Sequence, residues 1–343
     1  MPVARLSFLD RWLTLWIALA MGVGLLLGRF APGAAHALAG MSVGSTTIPI
    51  AIGLILMMIP PFTRVKPSEL PKVFADPKAL TLSILLNWLA GPVLMLGLAW
   101  LFLRDRPDLF AGLVLVGLAR CIAMVVVWNQ LAGGSPEAAA GLVAFNSLFQ
   151  VFTYGGYAWF FLSVLAPRMG LPAQSISVSM GQVASSVALY LGLPFAIGFA
   201  LRQILARTVG EAGTARFNSR FGPVTLVALL FTIVVLFALQ GNRIVSSPFE
   251  VVRVAVPLSL YFAAMFALSW WASRRIGMDY GRTVTQAFTG ASNNFELAIA
   301  VAIGSFGLTS GAAFAATIGP LVEVPAMVAL VQVSLRARVR GDL

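Results

Sequence analysis

Charged residues are what this sequence has least of: only 10% are Asp, Glu, Lys or Arg, against about 25% in an ordinary soluble domain. With 59% hydrophobic residues over 343 positions, that scarcity excludes a large water-soluble domain and, at this length, a single-span anchor. Cysteine is nearly absent as well. A single thiol, Cys121, excludes an intramolecular disulfide and any Cys-x-x-Cys metal site. The one histidine, His36, falls in a loop, and no nucleophile stands beside a base, so no enzyme and no bound cofactor are expected. No cleavable signal peptide is expected either, because the first apolar run lacks a small-residue cleavage site and more runs follow it. No extramembrane domain or long tail is evident that would carry the output of a membrane sensor or scaffold.

What is present is a series of apolar runs. They fall at roughly 12–27, 45–59, 80–103, from 110 onward, 138–165, up to about 200, 224–239, 252–272, 283–306 and 312–333. The second is expected to stop at Pro60-Pro61, since proline cannot continue a helix. Ten helical spans divide as five plus five, residues 1–168 and 169–343. An odd number per half makes the second half enter from the opposite side, which gives an inverted repeat. The expected fold is therefore an all-α integral membrane protein, with spans four and nine discontinuous. The net charge of +11 would suggest nucleic acid in a soluble protein. Here the bases sit in short connections, including one written as a loop across Arg202, Arg207, Arg216 and Arg220. Placing both termini in the cytoplasm puts sixteen of the 23 Lys and Arg on that side, the bias that sets membrane topology.

Three ionisable residues fall inside spans: Arg120, Glu296 and Glu323. Each costs roughly 2.5–3.5 kcal/mol at a helix centre on insertion scales. Each must face protein, water or a partner, and intramembrane charges point to substrate or proton sites by default. The bland alternative is a polar lock between helices. For Glu323, framed by Pro320 and Pro325, it is satisfaction of the backbone those prolines free. Ser292, Asn293 and Glu296 share a face if span nine is helical there, with Asn294 beside them. A polar patch before an apolar half-helix is the pattern of a broken transporter helix. Asn129-Gln130 before Gly133-Gly134 forms the counterpart in span four. A lone buried cysteine is usually a small inert hydrophobe, but Arg120 adjoins Cys121 and a nearby cation favours the thiolate. Arg120 is expected to support that thiolate or to pair with Glu296 or Glu323. Gly24-x-x-x-Gly28 is a common packing pattern and says nothing about substrate.

Three stretches, GLARCIAMVVVWNQLAGG, ASNNFELAIAVAIGSFG and GPLVEVPAMVAL, resemble the signatures of the arsenical resistance-3 family of arsenite efflux permeases. That family lies within the bile-acid/arsenite/riboflavin transporter group. The resemblance covers essentially the whole chain. It implies a ten-span inverted-repeat fold in the plasma (inner) membrane and export of trivalent arsenite, with antimonite as a further substrate, by antiport with protons. The family's essential cysteine falls on Cys121 and its ninth-span glutamate on Glu296. One departure is Gln130, where the family often carries an acid after the Trp-Asn pair. The chemistry agrees: trivalent arsenic is thiophilic and soft centres select thiolate, and one thiolate gives an adduct labile enough for a carrier. Arg120, Cys121, Asn129, Asn293, Asn294 and Glu296 are the expected substrate-binding set, with Cys121 as the arsenic(III) ligand. Glu296 and Glu323 are the expected proton carriers. The nearer alternative is a sodium-coupled organic-anion carrier with Asn129, Asn293, Asn294 and Glu296 as cation ligands.

Overall fold

The computed structural model describes residues 12–31, 33, 37, 40–43, 46–64, 76–172 and 178–340. His36, the bases Arg5, Arg11, Lys66 and Lys72, and the far ends of both termini lie outside the described residues.

Twelve helices are labelled here in chain order. They are α1 (Leu13–Phe30), α2 (Ile48–Arg64), α3 (Pro77–Leu103), α4 (Pro107–Leu118), α5 (Met124–Leu131), α6 (Pro136–Arg168), α7 (Met180–Thr208), α8 (Gly210–Ser246), α9 (Pro248–Arg275), α10 (Tyr280–Ala291), α11 (Phe295–Phe306) and α12 (Gly311–Arg340). A two-residue hairpin pairs Ser42–Val43 with Thr46–Thr47. Six helices (α3, α6, α7, α8, α9 and α12) contain stretches long and apolar enough to cross a membrane, and α1, α2, α4 and α11 are shorter apolar helices. Their outer faces carry large apolar side chains in the open, among them Leu101, Phe152, Phe249 and Val227. Apolar exposure on this scale is unfavourable in water and is the natural surface for hydrocarbon.

The chain forms two compact units. One comprises residues 1–64 and 194–248, the other 65–193 and 249–343. Each draws on both halves of the sequence. In the first unit α1 and α2 pack on α8. Gly24 and Gly28 allow the approach: a Cβ on Gly24 would lie 2.7 Å from the Val234 carbonyl oxygen, and one on Gly28 2.5 Å from that of Ala238. The Gly-x-x-x-Gly pattern is thus a packing face.

Two expectations fail in this unit. Helix α2 does not stop at Pro60-Pro61 but continues to Arg64. The two prolines leave the carbonyls of Leu56 and Met57 without their helical N–H donors, and the helix is held by its packing on α8, a neighbouring helix being one of the things that make proline tolerable in membrane helices. The segment from Arg202 to Arg220 is not a loop. Arg202 and Arg207 lie in α7 and Arg216 and Arg220 in α8. The helices part only at Val209-Gly210, where Gly210 has φ +69°. Arginine is a good helix former, and the buried Arg202 is tied to Glu211 at 2.5 Å across the turn.

The second unit holds α3 to α6, the first part of α7, and α9 to α12. Asp76, Ser135 and Asp279 cap α3, α6 and α10, each side chain accepting a backbone N–H three residues on, which satisfies one of the donors that a helix start leaves open. Short π-helical segments interrupt α3 at Leu85–Ala90 and α6 at Phe160–Leu165.

Candidate functional site: a crossing of two broken helices

Spans four and nine are both broken, and the breaks meet. In span four, α4 ends at Leu118, residues 119–123 are non-helical, and α5 starts at Met124. In span nine, α10 ends at Ala291, residues 292–294 are extended, and α11 starts at Phe295. Arg120 and Asn293 form an isolated antiparallel bridge between them. The Asn294 N–H donates to the Ala119 carbonyl at 3.1 Å. The Asn293 carboxamide donates to Val116 O at 2.8 Å and Ala119 O at 3.1 Å. These are among the carbonyls a helix end leaves without partners, so one break caps the other. The Asn294 Oδ1 accepts from Leu297 N at 3.0 Å and caps α11.

The break in span nine lies where the polar residues of the sequence put it. The break in span four does not. Asn129 and Gln130 are helical, inside α5, and Gly133-Gly134 form the turn into α6, with Gly133 at φ +71°. The interruption sits earlier, at Arg120-Cys121 itself. Nor do Ser292, Asn293 and Glu296 share a helical face. Because 292–294 are extended, Ser292 turns to Glu323, Asn293 reaches back to α4, and Glu296 lies half-buried in the first turn of α11.

Cys121 is buried, and its Sγ accepts from Val125 N at 3.3 Å, at the start of α5. Ser292 and the carboxyls of Glu323 and Glu296 are the side chains interacting with this thiol. The Ser292 hydroxyl donates to Glu323 Oε1 at 2.6 Å. Glu323 sits in the middle of α12, 5% exposed, and interacts with Glu296. The Cys121 thiol, the Ser292 hydroxyl and the Glu323 carboxyl therefore share one buried neighbourhood, with the half-buried Glu296 at its edge. Such a set can ligate a soft centre and hold a proton beside it.

Arg120 is fully buried. Its Nη1 donates to the Tyr261 hydroxyl at 2.9 Å, and Nη2 donates to Gly117 O. Its backbone N–H donates to Gln150 Oε1 at 2.5 Å. The anticipated pairing with Glu296 or Glu323 is replaced by these neutral acceptors. Gly91 makes room for the guanidinium, since a Cβ there would lie 2.9 Å from both Nη1 and the Tyr261 oxygen. Asn129 lies in the second turn of α5, beyond the break that holds Cys121. Its Oδ1 accepts from Thr285 at 2.8 Å and its Nδ2 donates to Ser135 O at 3.2 Å, so it ties α5 to α10 and the start of α6.

Two buried residues at the crossing, Gln150 and Tyr261, escaped the sequence reading, as did the buried pair Trp88–Asn146 joining α3 to α6, whose indole donates to the amide at 3.1 Å. Amides at positions 146 and 150, one turn apart within an apolar run, were the available signal.

A family model described as the Sodium Bile acid symporter family matches residues 51–247. The chain is 47% identical to the arsenical-resistance protein Acr3 of Corynebacterium glutamicum, over 97% of this chain and 90% of that protein. It is 32% identical to the Acr3 protein of Alkaliphilus metalliredigens, over 97% and 94%. It is also 33% identical to an uncharacterized transporter of Synechocystis, over 96% and 88%.

Proposed function

Because the chain belongs to the Sodium Bile acid symporter family, and within it to the Acr3 arsenical-resistance proteins, we propose that it exports trivalent arsenite across the plasma membrane in exchange for protons. It is a multi-pass membrane transporter, not an enzyme. The four shorter apolar helices join the six long ones as ten spans, α4 with α5 and α10 with α11 each making one crossing. The two inverted halves are 1–168 and 169–343, with both termini cytoplasmic.

The observation that carries the reading is the placing of the chain's one thiol in the break of span four, against Ser292 and Glu323. Arsenite near neutral pH is an uncharged trihydroxide. When the thiol ligates it, an As–S bond replaces one As–O bond, and the thiol proton leaves with the displaced hydroxyl as water. Release runs the same exchange backwards. One soft ligand makes the adduct reversible, and the hydroxyl and carboxyls beside it satisfy the remaining As–OH groups. Glu296 and Glu323 are the groups that take a proton from one side and give it up on the other, with Glu296 as the coupling residue. Antimonite, with the same hydroxide chemistry and thiophilicity, is a second substrate.

The test is arsenite accumulation by everted vesicles under an imposed pH gradient, then after addition of an uncoupler. Accumulation that collapses with the gradient supports the reading; none at all overturns it. A sodium-coupled organic-anion carrier is the second reading, favoured by the family's description. The buried guanidinium of Arg120 at the crossing weighs against it, because a second cation beside it is repelled. Sodium-dependent uptake indifferent to loss of Cys121 would decide for that reading.

A further inference from the structure

Tyr280, the first residue of α10, holds two other helices through one hydroxyl. Its oxygen lies 2.7 Å from the Ala132 carbonyl oxygen, at the end of α5, and 3.1 Å from that of Ser334 in α12, so the single O–H is shared between them. The Ala132 carbonyl is of the kind a helix end leaves without a partner. The Tyr280 ring also packs edge-on against Trp270 of α9, with centroids 6.1 Å apart. The guanidinium of Arg338, one turn beyond Ser334, stands over that ring at 5.2 Å. Gly133 leaves room for it, since a Cβ there would lie 3.0 Å from Arg338 Nη1. A cation at that point also faces the negative end of α5.

Each of the three helices leads from this clasp to the thiol site. Helix α10 ends at Ala291, beside Ser292, and from Tyr280 to Ser292 is twelve residues, roughly 18 Å at 1.5 Å per residue. Glu323 precedes Ser334 by eleven residues of α12, roughly 16 Å by the same measure. Helix α5 starts at Met124, and its Val125 N–H holds the Cys121 sulfur. Asn129 and Thr285 already tie α5 to α10 partway along. The position of α12 depends more on Tyr280: among the described residues no other side-chain hydrogen bond joins α10 to α12. The bond between Ser292 and Glu323, 2.6 Å long, is made at the far ends of these two helices. Hydroxyl hydrogen bonds span about 2.5–3.0 Å, so a slip of α12 against α10 by about 1 Å breaks it.

We propose that Tyr280 is a positioning residue for arsenite: its hydroxyl sets α12 against α10 and α5, and so holds Glu323 where Ser292 and the Cys121 thiol meet it. Tyr280 itself touches no substrate. The inference rests on the arsenite-export reading and adds a residue at the far end of the helices that build the site.

The experiment compares the wild type with Tyr280→Phe and Trp100→Phe. The first keeps the ring and its contacts with Trp270 and Arg338 and loses only the hydroxyl. The second removes a bond of the same kind, from the Trp100 indole to the Met169 carbonyl at 3.1 Å, between α3 and the end of α6 and outside the three helices. Everted vesicles with quantified membrane levels give arsenite uptake against concentration, and melting temperatures of the purified proteins report stability separately. Half-saturating arsenite should rise about fivefold in Tyr280→Phe, the worth of one hydrogen bond, and stay at the wild-type value in Trp100→Phe. The same rise should appear in the arsenite concentration that half-protects Cys121, the only thiol, from alkylation by N-ethylmaleimide. A Tyr280→Phe protein that reaches the membrane and keeps the wild-type half-saturation overturns the positioning role and leaves the export reading standing, however far its melting temperature falls. So does an equal rise in Trp100→Phe, which makes the effect a general loosening. A wild type that transports no arsenite overturns the export reading and the positioning role together.

Discussion

Arg120 and Cys121 are neighbours in the chain, yet the non-helical backbone of the break sends them to different partners. The guanidinium turns to Tyr261 and Gly117 O, while the sulfur turns to the start of α5 and to Ser292. They are therefore separable by mutation. Cys121→Ser keeps the shape of a small hydrogen-bonding side chain but replaces a soft ligand with a hard one. Transport should fall to background in vesicles containing wild-type amounts of protein; normal export would reduce the thiol to packing. Glu296→Gln keeps shape and hydrogen-bonding capacity but cannot release a proton. Accumulation against a gradient should be lost, whereas Glu296→Asp should retain part of it. If the Gln variant still concentrates arsenite when protons are supplied, coupling passes to Glu323. At this scale the sequence was informative, because an intramembrane charge costs too much to be idle. It named Arg120, Cys121, Glu296 and Glu323, which the fold gathers into one unit. It could not say which of them touch, since contact depends on a break whose position was misread.

The misreading of span four shows what decides an element's end. Asn129, Gln130 and two glycines form the stronger local signal for interruption, yet α5 runs through the amides and uses Gly133 only to turn. The helix actually stops at Leu118 because another chain segment supplies partners for its last carbonyls, the Asn293 side chain and the Asn294 N–H. That partner is more than 170 residues away in sequence, and no local pattern contains it. Span nine was legible because its own polar residues, 292–294, make the break. The proline pair in α2 was misleading for a related reason: the packing of α2 on α8, which no local pattern contains, carries the helix through the bonds that proline removes. Two variants probe these elements. Asn294→Ala removes the cap of α11 and should cost about 1 kcal/mol, read as a fall in the melting temperature of the detergent-purified protein. Gly112→Ala should cost more, because its Cβ would lie 2.3 Å from the Ala312 carbonyl oxygen of α12 and backbone cannot step aside as a flexible side chain can. A Gly112→Ala protein as stable as the wild type would show that α4 and α12 pack less closely than described.

On the scale of the whole molecule, the second unit has two ends that can be told apart by ion pairs. At one, Asp76 meets Arg282, and the turn 276–279 follows α9. At the other, Arg253 grips Asp105 and Arg106 meets Glu250 at 2.5 Å. Helix α9 links them with 28 residues, roughly 42 Å at 1.5 Å per residue, which is enough to cross the roughly 30 Å hydrocarbon core. Arg253 holds the Asp105 carboxyl below its ordinary range. A lowered carboxylate pKa adds stability that is present above the ordinary value and lost only as pH falls through the lowered one. The ion pair at this end therefore persists when the medium it faces is mildly acid, although its exposure limits its worth to under about 1 kcal/mol. The orientation proposed from the charge bias of the connections puts the Asp76–Arg282 end in the cytoplasm. With a single native cysteine the assignment is directly measurable. In a Cys121→Ser background, Ile276→Cys and Arg104→Cys place one exposed thiol at each end. A membrane-impermeant maleimide added to intact cells should label the cysteine at 104 and spare the one at 276, and everted vesicles should reverse the pattern. Labelling at 276 in intact cells would invert the protein in the membrane. The proposed orientation, and with it the side from which an exporter collects its cargo, would then be overturned.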